Sequence, residues 1–281
     1  DNFTHWLYPS TIVLLCADPG SGKSMFLMQL IGHCVEHQIP SACYMLEDGP
    51  DMHLQRAFVQ ISKNPDLFDL EWIKTHPQEA RSLFNQHRHA LDKISRAIMA
   101  EGDKEITRDD LIAWAERKAK AGARVIAFDP ITATKTDDKP WAADAAFITN
   151  CKRIAKAYGC TIIISTHPRS TNKSPSLASM AGGSAFSRFC HTALWMTKHD
   201  KINSTTLNGT HAHERTIEVL KARNGSAGNG SIAVTMEPWC SISDIGPIVD
   251  KQKDYSEGDT QEAKARGGRL RAAASDAENV F

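Results

Sequence analysis

The chain has 281 residues, 41% of them hydrophobic, with 33 basic and 33 acidic side chains; that is enough to bury one full α/β core, and the zero formal charge excludes a global positive field, so any contact with nucleic acid must be local. No apolar run approaches the ~18 residues needed to cross a bilayer, and the N-terminal residues lack a signal-peptide pattern, so a soluble protein without a membrane partner is expected. Seven cysteines without a CxxC pair, several within apolar segments, suit small buried thiols in a reducing cytoplasm and argue against disulfides.

Taken in chain order, apolar runs predict strands at 11–16, 41–46, 124–128, 161–165 and 192–197. Helical spacing links Leu54, Ala57, Phe58 and Ile61, and again Phe147, Cys151, Ile154, Ala155 and Tyr158. Alternation of this kind predicts an α/β fold with a mainly parallel sheet covered by helices on both faces. Between the second and third strands lies a long insert, 63–122. Its stripe of Ala80, Leu83, Phe84, His87, Leu91, Ile94 and Ile98 predicts a helical excursion, followed by a helix over 108–120. After a loop at 203–213, segments 216–221, 231–236 and 239–243 read as consecutive strands joined by Gly-rich turns, an antiparallel extension at the sheet edge. One domain over 1–248 is therefore expected, with a mobile tail over 249–281, where large apolar residues almost vanish.

Directly after the apolar residues 12–16 comes Ala17-Asp18-Pro19-Gly20-Ser21-Gly22-Lys23-Ser24, followed by Met25 and a helical pattern. This reads as a phosphate cradle: Pro19 breaks the strand, and the other backbone N–H groups from Asp18 to Met25 can wrap nucleotide phosphates, with the positive end of a helix behind them. Lys23 can reach the outer phosphates, and the Ser24 hydroxyl can take a place on Mg2+. ATP and Mg2+ are the expected cofactors. The usual first glycine of the pattern is Ala17 here, while the GSGKS half is intact.

In an open parallel sheet ligands bind beyond the carboxyl ends of the strands, and three further strand ends carry polar residues. Asp129 closes Val125-Ile126-Ala127-Phe128 and fits a carboxylate that orients Mg2+ beside Ser24; alternatively it caps a turn before Pro130. Because Asp129 is followed by proline and not by glutamate, the base that activates water must come from another strand, and Glu47 is the leading candidate. The competing reading places Glu47 beside Asp48 and Asp51 as an acid at a helix start. His167 can sense the terminal phosphate, or can be a satisfied packing residue. The other histidines, including His211, His213, His87 and His89, are expected to be surface residues without Cys or carboxylate partners at metal-ligand spacing. Lys221 and Arg223 lie two apart at a strand end and so share a face. Alone they read as a solvated strand end; together with the other strand ends they read first as charges reaching into a neighbouring subunit's nucleotide.

Together, ADPGSGKS, the Glu47 strand end in YMLEDGPDMHLQR, the AFDPI acid at Asp129, STH at His167 and LKARNGSAG resemble the RecA-like P-loop NTPase core of hexameric replicative helicases of the DnaB and plasmid RepA type. The resemblance covers roughly 1–245, and the helical insert is its main departure. It implies a homo-hexamer that hydrolyses ATP and moves on single-stranded DNA, with a primase or initiator protein as a further partner. It also implies that Lys221 and Arg223 act on the adjacent subunit's ATP, and that DNA-contacting loops fall within 132–141 and 168–183. There Lys135, Lys139, Arg169 and Lys173 can grip phosphates. Versions that are RepA-like, stand-alone or the C-terminal part of a longer chain all fit. A regulatory or loading ATPase that does not unwind duplex is the second reading; a small-molecule kinase is the third, and leaves Lys221 and Arg223 without a purpose.

Overall fold

Strand β1 (Ile12–Ala17) is apolar at every position and buried at all six, as a central strand covered on both faces must be. The computed structural model describes residues 7–100, 105–135, 139–169, 174–206, 209–223 and 230–248, so the expected tail over 249–281 lies outside the described residues. After β1 come α1 (Lys23–Glu36), β2 (Ser41–Met45) and α2 (Pro50–Ser62), then a short 3-10 turn, α3 (Leu70–Thr75), α4 (Pro77–Ala97) and β3 (Ile98–Ala100). The chain continues through α5 (Arg108–Lys120), β4 (Val125–Asp129), α6 (Pro140–Tyr158), β5 (Thr161–Thr166) and α7 (Gly183–Phe189). It closes with β6 (Thr192–Thr206), β7 (Gly209–Ala222), β8 (Ser231–Met236) and β9 (Ile242–Pro247).

One nine-stranded sheet results, in the order β3-β2-β4-β5-β1-β6-β7-β8-β9. The six strands from β3 to β6 run parallel, and β6 to β9 antiparallel. Side chains of β1 alternate between the two faces. Ile12, Leu14 and Cys16 join the core under α5, α6 and α7, where Phe128, Phe147, Phe186 and Trp195 pack. Val13, Leu15 and Ala17 join the opposite core with Leu27, Met28 and Ile31 of α1 and Leu91 and Ile94 of α4. Each such large side chain contributes about 1.5–3 kcal/mol on burial, so both faces of β1 hold the phosphate-loop strand in place.

Three expectations are corrected. The loop expected at 203–213 is paired: β6 and β7 run on as a long antiparallel ribbon, with Ile202 opposite His213 and Thr206 opposite Gly209. Among the described residues β8 pairs with β7 only at 215–218, so the outer ribbon carries mostly exposed, polar side chains and lacks the apolar run by which a buried strand is read. The final strand expected at 239–243 begins instead at Ile242, because residues 237–240 form a turn in which the Cys240 N–H donates to the Glu237 carbonyl at 2.9 Å. Ile98, read as the end of a helical stripe, starts β3, which pairs in parallel with β2 (Cys43 opposite Ile98) and becomes one edge of the sheet. A three-residue strand is too short to interrupt a helical period. The helix over Arg108–Lys120 forms as expected, opened by a capping box between Thr107 and Asp110.

Candidate nucleotide site

The carboxyl end of β1 delivers the chain into the phosphate loop, where Gly20 and Gly22 take positive φ of 75° and 101°. A Cβ on Gly22 would lie 2.4 Å from Met236 Cε, the movable end of a flexible side chain, so it is the backbone conformation that requires glycine there. The Ser21 N–H donates to the Asp18 carbonyl at 3.2 Å, and the Phe26 N–H to the Gly22 carbonyl at 2.9 Å. No side chain caps the start of α1, which leaves its first N–H groups facing the loop. Ala17, the departure from the usual glycine, is the last residue of β1 and pairs with Met196; its backbone is extended, so no glycine is needed.

Lys23 is 5% exposed. Burial depresses its pKa, and the charges of Asp129, Glu47 and Cys16 oppose that shift. Its Nζ lies 3.3 Å from each ring nitrogen of His167. On its other side, His167 Nε2 is 3.3 Å from Glu47 Oε1, and Nδ1 is 3.3 Å from the Ala17 carbonyl oxygen. The ends of β1, β2 and β5 thus meet in a chain Lys23–His167–Glu47. Glu47 does not cap α2, whose N-cap is Gly49 without a side-chain bond. Asp48, by contrast, is committed to Arg56, with Oδ2 2.6 Å from Nη1.

Asp129 is 2% exposed and accepts the Ser165 hydroxyl across the sheet. Among the described residues its carboxylate has no ion pair, and a buried anion in that state favours a cation nearby. Ser24, Lys23, Gly20, Glu47 and His167 line an adjoining cleft of about 460 Å³.

Arg215 was invisible in the local pattern. Six per cent exposed on β7, it donates from Nε to the Ser21 carbonyl at 2.9 Å, and its Nη1 lies 3.2 Å from Glu214 Oε2. Read as starting at 216, the strand excluded it. Arg56, Met236 and Cys240 also line the cleft and were equally missed; a lone arginine inside an amphipathic helix carries no local signal.

Lys221 and Arg223 share a face, as the period of two requires, but they lie away from this cleft. Lys221 Nζ donates to the Ser187 carbonyl at 2.6 Å, and Arg223 Nη2 to the Arg188 carbonyl at 2.9 Å. The Arg223 N–H bonds to His191, whose own N–H bonds to Ile12 at the start of β1. The length of β1, about 20 Å at ~3.3 Å per residue, separates this edge from the phosphate loop.

Lys135, Lys139 and Arg169 are exposed and follow the carboxyl ends of β4 and β5. Lys135 Nζ is 2.8 Å from Glu105 Oε2. Lys173 lies outside the described residues, as do parts of both expected loop ranges. Two expectations about histidines are overturned. His213, on β7, and His53, on α2, are 1% and 2% exposed. His33, Glu36 and His37 do bring two imidazoles and a carboxylate within metal-ligand reach. The seven cysteines are free and six are buried, as expected; burial pushes Cys16 up to about 12. Among the described residues no helix is long and apolar enough to cross a membrane.

Residues 2–173 match the AAA domain family, and no curated protein matches the chain. Among solved structures, the ATPase domain of G40P is similar over 85% of this chain and 86% of that one, with a TM-score of 0.65 and 16% identity. A DnaB-like replicative helicase, whose structure was described with its interactions with primase, is similar over 83% of this chain and 57% of that one, with a TM-score of 0.64 and 15% identity. At such identities the likeness speaks for the fold, and the fold is that of RecA-like helicase ATPase domains. With more than half of its residues matched, and the phosphate loop, Glu47 and Asp129 all inside the match, the chain belongs to the AAA domain family.

Proposed function

We propose that this chain is an ATP-hydrolysing ring translocase and helicase on single-stranded DNA, a homo-hexamer whose ATP sites are completed where copies meet. The position of Arg223 carries the proposal. Held against Arg188 at the end of the sheet's strands opposite its own phosphate loop, this guanidinium is far from the cleft in its own chain but available to a second copy placed head to tail. Heterologous contacts of this kind make a ring when the rotation between copies closes.

Within one site, Lys23 and the loop amides bind the phosphates of ATP. Ser24 and Asp129 are suited to hold Mg2+, which when bound neutralises phosphate charge. Glu47 takes a proton from water as its oxygen bonds to the terminal phosphorus, while the bond from that phosphorus to the leaving diphosphate oxygen breaks. His167, in contact with both Lys23 and Glu47, couples phosphate occupancy to the segment after β5. Lys221 and Arg223 of the neighbouring copy offset the charge that develops on the transferring group. Lys135, Lys139, Arg169 and Lys173 contact the DNA backbone without reading bases. The pairing of Lys135 with Glu105 is exposed and screened by solvent, so it yields readily to a phosphate. A primase or initiator protein is the partner expected to load the ring.

Subunit mixing tests the shared site. Lys23→Ala and Arg223→Ala proteins, each inactive alone, regain ATPase activity when mixed, because some contacts then pair an intact loop with an intact guanidinium. Full ATPase activity in Arg223→Ala alone rejects the proposal. DNA-stimulated ATPase without strand displacement assigns the chain to loading or regulation instead.

A further inference from the structure

We propose that the end of α1 farthest from the phosphate loop is a binding site for a divalent transition-metal ion, held by His33, Glu36 and His37. One ligand atom from each residue lies within 4.8 Å of the others, and all three residues are exposed. The two imidazole centroids are 4.2 Å apart. Spacings of three and four residues stack these side chains on one helical face. The His37 N–H still bonds to the His33 carbonyl at 3.0 Å, so the helical path extends through the third ligand.

The chemistry selects the ion. Two imidazoles and a carboxylate suit Zn2+, Co2+, Ni2+ or Cu2+, whereas Mg2+ prefers oxygen ligands and keeps its water. A tetrahedral ion with bonds of about 2.0–2.1 Å separates its ligands by ~3.4 Å. Closing from the present spacing takes rotations of about an ångström, which exposed side chains make freely between rotamers. The location favours positive charge, because the negative end of the helix dipole emerges in this last turn. Cys34, between the ligands in sequence, faces the core at 1% exposure, and burial pushes its thiol up to about 11; it takes no part. Among the described residues, no hydrogen bond or ion pair to another part of the chain engages the three side chains. Three protein ligands leave the fourth position to water. Bound there, the ion clamps the last turn of the helix whose first residue is Lys23, and so stabilises the element that carries the phosphate loop.

Zn2+ titrated calorimetrically into the purified chain, with a large excess of Mg2+ present, tests this directly, and Co2+ serves as the spectroscopic probe. One equivalent of Zn2+ is expected to bind and to raise the thermal unfolding midpoint, since an ion that binds only the folded state stabilises it. The double substitution of His33→Ala and His37→Ala is expected to weaken binding at least about tenfold, and Glu36→Gln to weaken it less. All three positions are exposed and alanine favours helix, so ATP affinity in the variants should match the parent and report an intact fold. A parent chain that takes up no Zn2+, or unchanged affinity in the double variant, overturns the proposal. So does a Co2+ spectrum with thiolate charge-transfer bands, which would place the ion on cysteine.

Discussion

Arg215 Nε donates to the carbonyl oxygen of Ser21 at 2.9 Å, joining residues 194 apart in the chain and fastening β7 to the phosphate loop. The bond fixes the peptide between Gly20 and Gly22, the two positions where the backbone turns left-handed. A hydrogen bond from a charged donor contributes about 1.5–3 kcal/mol. Arg215→Ala is therefore expected to lower ATP affinity about tenfold or more, read with a fluorescent ATP analogue. Arg215→Lys should recover only part, since an ammonium does not reproduce the planar fork that reaches Ser21 and Glu214 together. Affinity unchanged in Arg215→Ala would remove this brace from the site.

Gly22→Ala should destabilise the fold by about 1–3 kcal/mol through its backbone, because φ is 101°. The 2.4 Å approach of the new Cβ to Met236 Cε involves the end of a flexible side chain, which moves aside cheaply. Combining Gly22→Ala with Met236→Ala is accordingly expected to restore less than half of the lost stability, measured by urea unfolding. Full recovery would show that crowding dominates.

Glu47→Gln is expected to keep ATP binding and to lower turnover by about 10²–10⁴-fold, the range for loss of a general base. Asp48 cannot stand in, because its carboxylate is engaged by Arg56 at 2.6 Å. Single-turnover hydrolysis beside equilibrium ATP binding separates the two quantities. Near-normal turnover would move the base elsewhere.

Stability should fall on mild acidification, in part through His53. Its Nε2 lies 3.2 Å from the Asp48 carbonyl, while its buried Nδ1 has no hydrogen-bond partner among the described residues. Burial first, then the Arg56 charge, holds its pKa below the ordinary 6.5, against the opposing pull of Asp48 and Asp129. A folded pKa below the unfolded one means that the unfolded chain takes up the proton first. The contribution is complete above 6.5 and is lost as pH falls through the folded value. Urea midpoints at about pH 7.5 and about pH 5.5 should differ less in His53→Gln than in the parent; an equal difference in both would assign the acid sensitivity to other groups.

Much of the fold was legible in the residues because buried parallel strands must be apolar on both faces. The runs through Ile12, Ile126 and Ile162 announce themselves for that reason, and the phosphate loop is a local device written in consecutive residues. The strand ends Glu47, Asp129 and His167 follow from the same logic, since a sheet of this kind displays its polar chemistry where its strands stop. Their meeting, with His167 3.3 Å from both Lys23 and Glu47, depends on β2, β4, β5 and β1 standing side by side in that order.

What only tertiary structure decided has no local signature. The outer ribbon of β6 and β7 is built mostly of polar, exposed residues, and the few side chains it buries, His213 among them, are themselves polar. Arg215 and Ser21 meet because β6 carries β7 back past β1, and Arg223 falls at the far edge because β7 runs antiparallel. The sequence by itself determined the buried central strands and the phosphate loop; the sheet order alone determined which distant side chains meet that loop, because a hydrogen bond between remote residues depends on how strands are arranged and not on the residues beside them in the chain.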